Sequence, residues 1–167
     1  MELAWRKRNL LILAAAMALL LTLIPMRAYA QAESTVSATV TPAFVAVSAL
    51  PTEVDYGVKV LGSTAQTPTP DNFVATNDGN ITADFLIRGA DTADWTLAGT
   101  AASEAYVHRA SPDAFTTTIV LTTTNQSLET GIAASGTSTV SLNMDLPTSS
   151  AATAEQTAPV IVVAIIP

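Results

Sequence analysis

Beyond residue 30 the chain never holds a helical apolar period and instead alternates apolar and polar residues. A period of two places one set of side chains on each face of an extended strand. Val36, Ala38 and Val40 alternate with Ser37 and Thr39. Val54, Tyr56, Val58 and Val60 alternate with Asp55, Gly57 and Lys59. The pattern recurs at Ile81, Ala83, Phe85 and Ile87, and again at Val140, Leu142, Met144 and Leu146. Threonine supplies 24 of the 137 residues after position 30. β-branched residues suit a pleated sheet better than a helix. One apolar face and one polar face per strand describe antiparallel sheets with a wet side. The expectation is an all-β chain of seven to nine short strands, folded as an antiparallel two-sheet β-sandwich.

The turn residues agree. Asn77, Asp78, Gly79 and Asn80 separate Phe73, Val74 and Ala75 from the strand beginning at Ile81. An Asp-Gly pair between two strand patterns predicts a β-hairpin. Residues 62–72, with Pro68 and Pro70, read as a loop, as do residues 89–92, 111–113, 131–136 and 147–154. The piece Asp55-Tyr56-Gly57 to Gly62, followed by F-V-A-T-N-D-G-N-I-T-A-D-F over residues 73–85, resembles immunoglobulin-like domains of prokaryotic surface proteins. Residues 131–136, ahead of the Val140 strand, resemble the polar turn before a late strand in such domains. The resemblance covers residues 54–166. It implies an Ig-like or jelly-roll-like sandwich and a cell-surface setting, the setting of adhesin stalks, surface-layer modules and filament subunits.

The first thirty residues have a different character. Arg6, Lys7 and Arg8 precede an apolar stretch at residues 10–24 that only Thr22 interrupts, and Ala28-Tyr29-Ala30 follows Pro25. A basic start, an apolar centre and an A-x-A end predict a secretory signal peptide over residues 1–30. The 15-residue apolar run is shorter than the ~20 residues of a membrane-spanning helix. No membrane span is expected after cleavage. The remainder divides into an N-terminal strand or arm, residues 31–50, open to exchange between subunits, and a sandwich domain, residues 51–167.

After position 30 only Lys59, Arg88 and Arg109 oppose thirteen acids, a side-chain balance of −10. Nucleic-acid binding requires a basic surface and is not expected. The chain has no cysteine, which removes disulfides, thiol catalysis and cysteine metal sites. A chain of this size buries enough surface to fold without such staples. The single histidine, His108, lies in a strand pattern with no nucleophile motif beside it. A general base needs a positioned partner, so no enzymatic activity, no catalytic residue and no cofactor are expected. Asp78 and Asn80 are weak calcium candidates, because their loop is shorter than a complete calcium loop and lacks its closing glutamate. Trp95, Tyr106 and Phe115 are the aromatics available to a glycan or other cell-surface partner. Asn80 and Asn125 each head an N-x-S/T pattern.

Two features point to self-association. Residues 160–166 are apolar on both alternation sets, and an uncovered strand of that kind is a template for pairing. Residues 31–50 are long for one strand and are broken by Pro42. The expected assembly residues are Val36, Ala38, Val40 and Phe44 in the arm, with Val160, Val162 and Ile165 at the C-terminal end. Strand addition between copies would join them into a homopolymer, a surface filament or layer. The competing expectation is a monomeric adhesion or glycan-binding module. N-terminal sequencing of the exported protein should return Gln31 as the first residue; recovery of Met1, or a start far from Gln31, would refute the cleavage site.

Overall fold

The structure, a computed structural model, describes residues 34–167. The signal-like features of residues 1–30, and with them the expected cleavage site, lie outside the described residues. All regular structure within the described range is β. Nine strands follow in order: β1 (Val47–Leu50), β2 (Asn72–Asn77), β3 (Ala83–Gly89), β4 (Thr96–Leu97), β5 (Ala105–Ser111), β6 (Ile119–Val120), β7 (Gln126–Ile132), β8 (Thr137–Asp145) and β9 (Val160–Ile165). They form a six-stranded sheet in the order β1-β2-β8-β5-β4, with β6 also on β5, and a three-stranded sheet in the order β7-β3-β9. The compact unit is Thr41–Pro167; the described residues before it, 34–40, belong to a separate unit and carry no strand.

The period-two pattern becomes burial. Along β2, Phe73, Ala75 and Asn77 are buried and their neighbours are not. Along β3 the buried set is Ala83, Phe85, Ile87 and Gly89, and along β8 it is Ser138, Val140, Leu142 and Met144. Phe85 and Ile87 of the small sheet and Tyr106, Val140 and Leu142 of the large one belong to a single apolar cluster. Each fully buried side chain of that size contributes about 1.5–3 kcal/mol relative to exposure. That cluster does the work a disulfide framework does in smaller exported domains.

Three expectations need correction. The pairing is not purely antiparallel, because β4 runs parallel to β5. Residues 54–60 do not form a strand: apart from a bridge between Asp55 and Thr69 they are irregular, and Val58 and Val60 are exposed. The cause is local. The Asp55 carboxylate accepts the Gly57 N–H at 2.6 Å, and Gly57 sits at φ +63°. That turn ends any extended run. The segment instead leads into residues 63–71, which lie along β8 beyond the end of β2. Gln66 exchanges backbone hydrogen bonds with Met144, Leu142 N–H donates to Asp71 and Leu146 N–H to Ser63.

The Asp78-Gly79 turn is also not a hairpin. β2 and β3 lie in different sheets, so the turn is a crossing between layers. A two-residue type I′ hairpin needs positive φ at both central residues, and neither Asp78 nor Gly79 has it. Asn77 decides the geometry. Its side chain, fully buried, accepts Gly79 N–H at 2.9 Å and donates to the carbonyls of Ile81, Ile132 and Ala133 at 2.8, 2.9 and 3.1 Å. Its own N–H donates to Gly136, and its carbonyl accepts from Ser135. One residue thus ties the β2–β3 crossing to the β7–β8 crossing.

Replacing that amide strands several carbonyls at about 1–3 kcal/mol for each that stays dry. Asn77→Leu should therefore lower the unfolding free energy by about 3 kcal/mol or more. Urea denaturation checks this, and a loss within error of zero would show that the crossings hold without it.

Candidate interaction surface

β9 lies at an edge. It pairs antiparallel with β3 through six consecutive residue pairs, from Gly89 opposite Val160 to Asp84 opposite Ile165, without a register shift. Val160, Val162 and Ala164 pack on the shared core. Ile161, Val163 and Ile165 face outward, across from Arg88, Leu86 and Asp84. Of the three C-terminal assembly residues expected from sequence, Val160 and Val162 therefore serve their own core, and only Ile165, 39% exposed, is free. Ile161 and Val163, from the second apolar set of β9, form an outward apolar stripe with Leu86, which the sequence reading did not place there. Leu86 occupied the polar set of its own alternation, and only the β3–β9 register brings it beside Val163.

The N-terminal candidates separate as well. Val36 and Val40 are 88% and 90% exposed, and residues 34–46 form no strand. Ala38 is exposed with them. Phe44 behaves differently, because its backbone is anchored to the compact unit. Its N–H donates to Asn80 Oδ1 at 2.9 Å, and its carbonyl accepts Asn80 N–H at 3.2 Å. Asn80 Nδ2 donates to the Pro42 carbonyl at 2.8 Å, and Asp78 N–H donates to Ala46. Gly79 makes the approach feasible, since a Cβ there would sit 2.6 Å from the Phe44 carbonyl oxygen. Val45, Val47 and Ala49 then pack on the core, and β1 joins β2. Residues 42–50 are thus rooted in their own domain. The tract that forms no strand ahead of this root is residues 34–41.

The same contacts bear on the calcium candidates. Both polar ends of the Asn80 side chain are engaged by the backbone at Pro42 and Phe44. Among the described residues no group of three or more His, Asp or Glu side chains is placed to hold a metal. Asp94 and Glu104 border a shallow groove with residues 151–154. Glu104 is committed to Ser150 Oγ and Ala151 N–H, which hold its carboxyl below the usual range.

Two of the three candidate aromatics, Tyr106 and Trp95, are tied into the fold. Tyr106 is fully buried, and its hydroxyl donates to the Ala90 carbonyl at 2.6 Å. Trp95 packs against Tyr106, with Nε1 donating to Ser150 Oγ at 2.9 Å. Trp95 and Phe115 are half-buried, while Tyr106 is closed to a sugar ring. His108 is equally enclosed, at 1% exposure. Its Nε2 meets the Tyr56 hydroxyl at 2.9 Å, while Nδ1 has no partner. Burial pushes the imidazole down to about 4, because the imidazolium would be a dry charge with one orphaned N–H. Burial, reinforced by Tyr106, raises the Tyr56 phenol well above its ordinary value. The imidazole of the pair is closed off from solvent.

On the outer side of β5, Arg109 donates to Asp145 at 2.6 Å, and Asp145 also accepts the Ala65 N–H at 2.7 Å. The Arg109 hydrogen bond holds the Asp145 carboxyl below its usual range.

No family model, no curated protein and no solved structure matches the chain.

His108 gives the domain a defined acid sensitivity. The unfolded imidazole, near 6.5, takes up a proton before the folded one does, near 4. Stability is therefore complete above about pH 6.5, falls between 6.5 and 4, and levels off below, for a total of about 3 kcal/mol. The lowered carboxylates Asp113, Asp145 and Glu104 lose their contribution only near and below their ordinary values of 3.8 and 4.5. Denaturant titrations across this range should show the decline in the wild type and a flat profile in His108→Gln. An unchanged decline in the variant would exclude His108 as its source.

Proposed function

We propose that this chain is a secreted structural protein, an Ig-like β-sandwich subunit that self-assembles into a cell-surface filament or layer by β-strand addition. The observation that carries the reading is the state of residues 34–41. Thr35, Val36, Ser37, Ala38, Thr39, Val40 and Thr41 are uncharged and strictly alternating, with β-branched residues at most positions. Such a tract favours a sheet, yet all seven residues are exposed and none lies in a strand. A β-forming, uncharged segment left in water is completed by pairing with another sheet.

The other features fit a scaffold. The buried histidine and aromatics support the sandwich. The acidic, lysine-poor composition keeps an exported chain soluble before it assembles. The signal-like first thirty residues support export, and the resemblance of residues 54–166 to prokaryotic surface domains supports the location. Buried Tyr106 and half-buried Trp95 weigh against the glycan-binding alternative.

Negative-stain microscopy and sedimentation velocity of the chain beginning at Gln31 should reveal ordered polymers that grow with concentration. Removal of residues 31–40 should leave a folded monomer, since β1 and its root begin beyond that point. A wild-type chain that stays monomeric at high concentration would overturn the proposal.

A further inference from the structure

The two sheets expose several edges, and they are not equivalent. β4 and β6 are two residues each, too short to template a partner. β1 is four residues long and stops at Pro51, which has no N–H to donate. β7 is longer, but its register against β3 shifts twice, and it carries Glu129 and a Gly131 at φ +73°. Short strands, prolines, bulges and charges are the usual means of keeping an edge from pairing. β9 has none of them. Its six residues, Val160, Ile161, Val162, Val163, Ala164 and Ile165, hold a single regular register and carry no charge, glycine or proline. In an antiparallel pair every second residue turns its N–H and C=O away from the partner. Among the described residues no backbone group accepts or donates on that open side of β9.

We infer that residues 34–41 of one copy add to the open edge of β9 in a second copy, making the three-stranded sheet four-stranded across the junction. This rests on the assembly reading above and names its acceptor. The fit has three parts. The donor's eight residues cover the acceptor's six with a strand's spacing. Neither segment carries a charge, so neither repels the other or buries an unpaired ion. The donor's alternation puts Val36, Ala38 and Val40 on one face and Ser37, Thr39 and Thr41 on the other. Seated on β9, the valines extend the row of Val160, Val162 and Ala164 over the core, and the hydroxyls stay in water. Asn80 is the positioning residue of the junction. By holding Pro42 and Phe44 it fixes where the donor leaves its own domain, which lowers the conformational entropy lost when the donor docks.

Because the chain has no cysteine, introduced thiols report the pairing directly. Chains carrying Thr39→Cys, on the water-facing side of the donor as Val163 is of β9, are mixed with chains carrying Val163→Cys, or with chains carrying Thr130→Cys on the β7 edge, and are oxidised gently. A disulfide-linked heterodimer at Val163 and none at Thr130 supports the inference. Adding Val36→Lys and Val40→Lys to the donor should abolish that crosslink without unfolding the domain, since both side chains are already in water. Polymers that form with the crosslink at Thr130, or with none at either site, overturn the β9 assignment while leaving assembly intact. A chain carrying both Thr39→Cys and Val163→Cys that closes its disulfide within one monomer at high dilution would also overturn it, since the arm would then serve its own β9. Failure of the wild type to polymerise removes both proposals together.

Discussion

A buried amide governs how this chain changes layers. Asn77 ends β2 at the point where the chain must leave the six-stranded sheet for the three-stranded one. Such a crossing turns backbone carbonyls into a space with little water, where each needs a donor. The Asn77 side chain supplies that donor to Ile81, Ile132 and Ala133 while accepting from Gly79. Two amide hydrogens serve three carbonyls, so one of them is shared. The second crossing, between β7 and β8, closes on the same residue through Ser135 and Gly136. With both crossings held, the rows of β3 and β8 face each other across one core.

Around that centre the fold relies on shape and hydrogen bonding in place of covalent staples. The long connection between β1 and β2 is a working part of it. Residues 63–71 occupy the flank of β8 that β2 does not reach, and Tyr56 covers His108. The Arg109–Asp145 pair, partly exposed, is worth little as an isolated ion pair. Its geometric value is larger, because Asp145 also holds the Ala65 backbone against β8.

The edges divide in a way that follows from composition. Where the chain ends a sheet with β1, β4, β6 or β7, it shortens the strand, places a proline or inserts a bulge. Where it ends a sheet with β9, it leaves a regular apolar ladder. The N-terminal tract shows the converse asymmetry. Its root is fastened by Asn80 and Gly79, while residues 34–41 lie in no strand. The proposed assembly pairs the regular β9 edge with the tract that lies in no strand.

Much of this was legible from residues alone. Alternation is a local property, and it identified the buried rows of β3 and β8 and the apolar character of β9. What the linear pattern could not carry was which sheet each strand joins. The Asp78-Gly79 turn reads as a hairpin until the Asn77 side chain captures it, and that capture depends on carbonyls more than fifty residues away. The alternation of residues 54–60 is as regular as that of β3, yet the Asp55 turn at Gly57 ends it. Phe44 reads as part of a mobile arm until Asn80, thirty-six residues later, pins its backbone. Leu86 reads as a misplaced apolar residue until β9 brings Val163 beside it. The sequence by itself determined that the chain makes strands and which face of β3 and β8 is apolar, because side-chain direction follows from backbone period. The tertiary structure alone decided which edges stay open and where the free arm begins, because both depend on hydrogen-bond partners that folding brings together from distant positions.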